Sequence, residues 1–174
     1  MQLKLRDSVY KPREDSHLLQ SQVQKLAKGK RVLDMGTGSG IQALTAAISG
    51  AKEVWACDIN PMAIALTDEN AKKNNVEIKT FLSDLFSAIH PDEKFDLIIF
   101  NAPYLEPAKP IDIQWSGGAK LLLKFLDQAK KHLTKNGKIL FVFSSLTKFR
   151  TPFSVVADQT MPDGEQLFIG IATL

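Results

Sequence analysis

Apolar positions along the chain follow two different patterns that alternate with each other. Short runs such as RVLDM at residues 31–35 and FDLIIF at residues 95–100 are typical of buried strands. Between such runs, apolar residues three or four positions apart are typical of helices. This alternation indicates β-α-β units. We therefore predict an α/β protein with a seven-stranded, mostly parallel sheet and helices on both faces.

The same patterns predict where the elements lie. The first helix begins near Glu14 or Asp15 and stops before Gly29, and Asn60-Pro61 starts another helix with a capping residue and a first-turn proline. The predicted strands cover residues 31–35, 53–58, 76–82, 95–100, 138–144, 153–157 and 166–172, and the remaining helices cover residues 40–49 and 118–134. The last two strands flank a Pro-Asp-Gly turn and are expected to form an antiparallel hairpin.

Length and composition predict one globular domain over residues 1–174. The 174 residues carry a net charge of +3 and are 44% hydrophobic, which excludes a disordered chain. The longest apolar runs are too short for a membrane span, and the N-terminus lacks a secretory signal, so a cytoplasmic protein without a membrane partner is expected. A single cysteine, Cys57, and three scattered histidines predict neither an internal disulfide nor a metal site.

A glycine-rich turn, Asp34-Met35-Gly36-Thr37-Gly38-Ser39-Gly40, follows the first strand and opens a helix. Such a turn lets the backbone approach a ligand closely, and the helix N-terminus offers free N–H groups to an anionic group. A dinucleotide-binding turn would need glycine at position 41, where Ile41 stands, and no Gly-Lys-Ser/Thr of a phosphate-binding loop follows. The turn is therefore predicted to hold a small ligand of another class.

Two acidic residues end the next strands of the predicted sheet. Asp58 lies 18 residues after Gly40, where its carboxylate could accept both hydroxyls of a ribose or could cap the helix that starts at Asn60. The glycine turn favours the ribose interpretation. Asp84 closes the third strand, where it could bind an adenine amino group or simply be a solvated loop residue.

Asn101-Ala102-Pro103-Tyr104 directly follows the strand FDLIIF. A buried strand would deliver the Asn101 amide to the carboxyl edge of the sheet, which is the usual ligand crevice of open α/β folds. The alternative is an ordinary turn, because Asn and Pro are common turn residues. The glycine turn on the neighbouring strand favours a ligand site.

Together these motifs resemble the class I S-adenosylmethionine-dependent methyltransferases, because DMGTGSG, CDIN, SDLF and NAPY stand in that family's order and spacing. N-P-P-Y at this place is similar to the signature of enzymes that methylate a planar amide or an exocyclic amine nitrogen; here its second residue is Ala102. VYKPREDSHLL at residues 9–19 and IQWSGG at residues 113–118 are similar to segments of the short archaeal and eukaryotic relatives of HemK/PrmC, the glutamine methyltransferases of class I release factors.

The resemblance implies a Rossmann-like class I methyltransferase fold and S-adenosyl-L-methionine as cofactor, with S-adenosyl-L-homocysteine as product. It implies that the Asn101 side-chain oxygen and the Ala102 carbonyl accept the two N–H hydrogens of the substrate nitrogen. It also implies that residues 12–16 lie over the cofactor. The implied catalytic residues are Asn101, Ala102, Pro103 and Tyr104; the implied cofactor-binding residues are Arg13, Ser16, Asp34, Gly36, Thr37, Gly38, Gly40, Asp58, Ile59, Asp84, Leu85 and Asn101; the implied substrate-binding residues are Tyr10, Pro12, Asn101, Tyr104 and Trp115.

The implied substrate is the glutamine of the Gly-Gly-Gln motif of a class I release factor. By the same resemblance, a small zinc-binding activator protein would add to the edge of the sheet.

Two other functions stay open from the sequence. One is N-methylation of adenine or guanine in RNA or DNA, which would use the same Asn101 geometry. The other is a non-catalytic S-adenosylmethionine-binding subunit, which Ala102 and the short connection at residues 145–152 favour.

Overall fold

The computed structural model describes residues 1–103, 118–147 and 153–174. Four helices and seven strands lie in these ranges. The helices are α1 (Glu14–Leu26), α2 (Ile41–Ile48), α3 (Pro61–Lys73) and α4 (Gly118–Lys131). The strands are β1 (Arg31–Met35), β2 (Glu53–Asp58), β3 (Lys79–Leu82), β4 (Phe95–Phe100), β5 (Leu133–Ser144), β6 (Ser154–Thr160) and β7 (Gln166–Ala172). None of the described helices is long and apolar enough to cross a membrane.

All seven strands belong to one sheet, in the order β3-β2-β1-β4-β5-β7-β6. The first five pair in parallel, and β7 runs antiparallel between β5 and β6. The predicted seven-stranded arrangement with a C-terminal antiparallel hairpin is confirmed. Because the strand order reverses between β1 and β4, the carboxyl ends of these two strands form a switch-point crevice, with Met35 level with Phe100.

Side chains alternate along the central strands and supply a separate core to each face of the sheet. On one face, Val32 and Ile99 pack with Leu19 and Val23 of α1 and with small residues of α2. On the other face the strands present larger side chains to α4. This second core includes Leu33, Met35, Trp55, Phe95, Ile98, Phe100, Leu122, Phe125 and Phe141. The sheet is therefore covered by helices on both faces, as predicted.

Four elements, β3, α4, β5 and β6, differ from their predicted ranges by more than one residue at an end, and backbone hydrogen bonds explain the first three differences. The third predicted strand starts at Lys79 instead of residue 76, because the Val76 N–H closes the end of α3 on the Ala71 carbonyl. The helix predicted over residues 118–134 ends at Lys131, and β5 begins at Leu133 instead of residue 138, since Leu133 already pairs with Phe95. The sixth strand is Ser154–Thr160 instead of residues 153–157.

Residues 1–9, here called the N-terminal strap, lie along α3. Asn74 accepts the Gln2 N–H and donates to the Gln2 carbonyl, and Asn70, one helical turn earlier, makes the same pair of bonds with Lys4. At the end of the strap, Val9 is buried in a small cluster with two apolar residues of α3. These contacts hold the N-terminal strap, and so the residues that follow it, in a fixed position relative to α3.

Candidate active site

The glycine loop, defined as residues 36–40, connects β1 to α2. Gly36 and Gly40 have φ values of +63° and +82°, which side-chain-bearing residues rarely adopt. A Cβ atom on Gly40 would also lie 3.0 Å from the Thr67 side chain. Gly40 is the residue before α2 and supplies no side-chain cap. Of the first-turn N–H groups of α2, those of Ile41 and Gln42 are therefore available to a ligand.

Asp34, near the end of β1, holds the glycine loop through hydrogen bonds. Its side chain is buried, and Oδ2 accepts the Thr37 hydroxyl proton at 2.8 Å and the Ala43 N–H at 3.1 Å. Burial raises the pKa of this carboxyl to about 7, although both hydrogen bonds oppose the rise. Asp34 thus ties the loop to the start of α2, and its predicted contact with a cofactor stays a prediction.

Asp58, at the end of β2, also binds the glycine loop. Its Oδ2 accepts the Gly38 N–H at 3.0 Å and its Oδ1 accepts the Asn60 N–H at 2.9 Å. Burial raises the pKa of this carboxyl. The helix cap that was the alternative role for Asp58 comes from Asn60, whose side-chain oxygen accepts the Met62 N–H. The Ile59 backbone also donates a hydrogen bond to this carboxylate, and Ile59 is 69% exposed. Because a carboxylate has about four acceptor sites, one remains for a ribose hydroxyl.

Two residues of α3 support the glycine loop in a way that sequence patterns did not indicate. The Asn70 side-chain amide donates to the Ser39 carbonyl at 2.9 Å, and the Thr67 hydroxyl donates to the Gly38 carbonyl at 3.3 Å. Both side chains are fully buried. Asn70 also makes two hydrogen bonds with the Lys4 backbone. The same side chain therefore binds both the glycine loop and the N-terminal strap.

The Asn101 side chain lies at the end of β4, beside the start of α1. Its amide nitrogen donates to Asp15 Oδ2 and to Ser16 Oγ, both at 3.1 Å. Its Oδ1 is buried and has no hydrogen-bond partner. A buried amide oxygen without a partner is costly, and such atoms mark places where a ligand or water binds.

Residues just before α1 and in its first turn lie close to Asn101. The Tyr10 hydroxyl donates to Asp15 Oδ2 at 3.0 Å, and the Gln42 amide donates to the Ser16 carbonyl at 2.8 Å. A Cβ atom on Gly38 would lie 4.0 Å from the Tyr10 carbonyl oxygen. The structure therefore brings Tyr10, Ser16 and Asn101 together next to the glycine loop.

The remaining predicted residues are distributed around this centre. Arg13 is exposed and precedes α1, and Pro12 is half-buried. Asp84 is exposed after β3, where it borders a groove of about 400 Å³, and Leu85 beside it is buried. Their predicted contacts with the cofactor or the substrate stay predictions.

The tetrapeptide is described only in part. Ala102 is buried, and the Pro103 carbonyl accepts the Gly118 N–H, which joins the tetrapeptide to the start of α4. Two predicted residues, Tyr104 and Trp115, lie outside the described residues.

These features define a class of protein: a Rossmann-like α/β domain whose ligand crevice combines a glycine loop, an acidic residue on the next strand and a polar amide at the switch point. The sequence model of the methyltransferase small domain family matches residues 9–159. The chain therefore belongs to the methyltransferase small domain family.

Comparison with known proteins gives relatives that are similar in sequence. A Methanocaldococcus jannaschii protein, provisionally named a protein N5-glutamine methyltransferase, is 39% identical over 156 residues, which cover 84% of this chain and 78% of that protein. A release factor glutamine methyltransferase of Lactococcus lactis is 31% identical over 160 residues, which cover 80% of this chain and 57% of that enzyme.

Solved structures with a similar fold at low sequence identity include one that contains a methyl donor. It is the Thermus thermophilus 16S rRNA N2 G1207 methyltransferase in complex with S-adenosylmethionine and guanosine. It aligns with a TM-score of 0.73 at 20% identity, over 96% of this chain and 44% of that chain. The likeness shows the fold alone.

Proposed function

We propose that this protein transfers a methyl group from S-adenosylmethionine to the side-chain amide nitrogen of the glutamine in the Gly-Gly-Gln motif of a class I release factor. The observation that carries the proposal is the buried Asn101 Oδ1, an acceptor without a partner at the switch-point crevice. The names of the archaeal and Lactococcus relatives support glutamine as the acceptor.

The described residues fit the proposed cofactor. The start of α2 offers the N–H groups of Ile41 and Gln42, and Asp58 offers a carboxylate acceptor for a ribose hydroxyl. When bound, S-adenosylmethionine supplies a methyl group on a positively charged sulfur. We assign its binding to the residues that the family resemblance implies, which are Arg13, Ser16, Asp34, Gly36, Thr37, Gly38, Gly40, Asp58, Ile59, Asp84, Leu85 and Asn101.

The chemical task of the site is to orient an amide nitrogen, which is a poor nucleophile because its lone pair is delocalised into the carbonyl. In the proposed mechanism, Asn101 Oδ1 and the Ala102 carbonyl accept the two N–H hydrogens, so the lone pair faces the methyl group. Positioning of this kind accounts for a large part of many enzymatic rate enhancements. The same two acceptors stabilise positive charge that develops on the nitrogen, and the methylated amide loses its proton after transfer.

Other residues would shape the substrate pocket. Tyr10 and Pro12 from the strap side, with Tyr104 and Trp115, are proposed to contact the substrate, and Tyr104 would pack against the plane of its amide. Pro103 would hold Ala102 extended, because a residue before proline avoids the helical region. Ala102 therefore keeps the carbonyl on which the mechanism depends.

A small zinc-binding activator protein is the proposed partner at a sheet edge, and the cytoplasm is the proposed setting. Both edge strands carry exposed apolar side chains that a partner could cover, Leu82 on β3 at 55% exposure and Val155 on β6 at 49%. Loss of binding after Leu82→Lys or Val155→Lys would identify the edge used, and retention after both changes would reject this partner site.

The direct test is transfer of labelled methyl from S-adenosylmethionine to a class I release factor, with and without the activator protein. The controls are the factor with Gly-Gly-Ala in place of Gly-Gly-Gln, and total tRNA and rRNA. We expect label on the wild-type factor alone. Label on RNA would change the function to base methylation, and cofactor binding without any transfer would favour the non-catalytic subunit.

A matched pair of variants connects the activity to Asn101. Asn101→Ala is expected to lower kcat about 100-fold, the usual effect of removing one charge-stabilising hydrogen bond. Asn136→Ala removes an exposed asparagine on β5 and should leave kcat unchanged. Equal activity of the two variants would show that the Asn101 oxygen does not take part.

A further inference from the structure

We infer that Asp15 is a positioning residue, which fixes the orientation of the Asn101 amide so that its oxygen, and not its nitrogen, faces the substrate. The inference rests on the proposed function, in which Asn101 Oδ1 accepts a substrate N–H. The reaction requires this orientation, because an amide rotated by 180° would present its own N–H hydrogens to those of the substrate.

The two neighbours of the Asn101 nitrogen can only accept hydrogen bonds from it. Both oxygens of the Asp15 carboxylate accept hydrogen bonds. The Ser16 hydroxyl has one hydrogen, which it donates to Asp15 Oδ1 at 3.1 Å, so only its lone pairs face Asn101. Both contacts to the Asn101 nitrogen are 3.1 Å long. In the rotated amide, the oxygen would instead lie against two acceptors.

Asp15 is itself held in place from three directions. Its Oδ1 accepts the Ser16 N–H at 2.6 Å and its Oδ2 accepts the Tyr10 hydroxyl proton at 3.0 Å, in addition to the Asn101 contact. The residue is 5% exposed. It lies in the first turn of α1, where the helix dipole stabilises a negative charge. The carboxylate can therefore act as a rigid acceptor.

The decisive experiment is a double-mutant cycle on kcat for methyl transfer to the release factor. Asp15→Ala should lower kcat about 10- to 100-fold in the wild-type protein. In the Asn101→Ala protein the same change should lower kcat less than about twofold, because no amide remains to be oriented. A merely structural role would lower kcat equally in both backgrounds, and that result would overturn the inference.

Asp127→Asn is the matched control, because it removes an equal charge from an exposed position on α4. It should leave kcat unchanged. Asp15→Asn keeps the size of the side chain and serves if Asp15→Ala does not fold. Its amide offers both a donor and an acceptor, so we expect it to lower kcat in the wild-type background only. Equal loss in both backgrounds would again overturn the inference.

A second readout needs no methyl acceptor and so separates this inference from the proposed function. In a ¹⁵N NMR spectrum, the Asn101 side-chain amide can be assigned as the signal missing from Asn101→Ala. We expect its hydrogens to exchange with solvent about tenfold faster in the Asp15 variant than in the wild type. An unchanged exchange rate would overturn the inference, whereas absence of transfer by the wild-type protein would overturn only the release-factor function.

Discussion

Asn70 offers a quantitative test of how the N-terminal strap and the glycine loop depend on each other. Its side chain is fully buried and makes three hydrogen bonds, two with the Lys4 backbone and one with the Ser39 carbonyl. Asn70→Ala removes all three at once. The Ser39 carbonyl loses a buried partner, because Ser39 is 2% exposed.

The expected loss of stability follows from these contacts. Leaving the Ser39 carbonyl unpaired costs about 1–3 kcal/mol, and losing the two bonds to the partly solvated Lys4 backbone adds about 1 kcal/mol. Asn70→Ala should therefore lower the free energy of unfolding by about 2–4 kcal/mol. Asn74→Ala is the matched control. It removes the corresponding bonds to Gln2, which are solvent-exposed, together with one bond to the Asn70 carbonyl, and should cost about 1 kcal/mol.

Urea-induced unfolding of both variants would measure the difference, and titration calorimetry would measure S-adenosylmethionine binding. We expect Asn70→Ala to weaken cofactor binding, because the Ser39 carbonyl belongs to the glycine loop, whereas Asn74→Ala should not. If both variants lost the same stability and bound the cofactor equally well, the coupling between strap and loop would be refuted.

Three further predictions concern the loop and the core. The raised pKa of Asp34 means that the folded protein holds this proton more tightly than the unfolded chain, so stability falls as pH rises from about 4 to 7, by at most about 1.4 kcal/mol per pH unit. Urea unfolding should show a steeper fall in the wild type than in Asp34→Asn, in which the raised pKa of Asp58 still acts, and parallel pH curves would contradict it. Gly40→Ala should raise the cofactor Kd at least about tenfold through backbone strain and contact with Thr67; Gly164→Ala, at a similar positive φ in open space, should leave Kd unchanged, and equal effects would contradict the loop's role. Gly170→Ala places a Cβ atom 2.4 Å from the Phe141 ring and should cost about 3 kcal/mol in a thermal melt, whereas a cost below about 1 kcal/mol would show that the core adapts.

The fold could be predicted because each strand and helix carries its own pattern of burial. The run FDLIIF predicts a strand buried on both faces, and in the structure it forms β4, the central strand of the sheet. Boundaries failed where backbone hydrogen bonds decide them, as when Val76 bonds back to α3. Side-chain periodicity contains no information about such bonds.

The candidate site could be predicted only where local motifs mark it. The glycine loop and Asn101 each follow a recognisable strand. The contacts of Asp15 with Asn101 and of Asn70 with Ser39 join residues 86 and 31 positions apart, which no local spacing reveals. The sequence pattern indicated only that Asp15 lies near the start of α1. Its contact with the Asn101 amide is seen only in the folded structure.

The position of β7 has a consequence for the order in which the protein can assemble during synthesis. Its strand, residues 166–172, lies inside the sheet between β5 and β6, although it is translated after both. Until those residues leave the ribosome, β6 lacks its neighbour, and the apolar edge of β5, residues 139–144, stays unpaired. A ribosome that stalls before residue 166 would thus hold a nascent chain prone to aggregation, and chaperone demand should be greatest in the interval before β7 emerges.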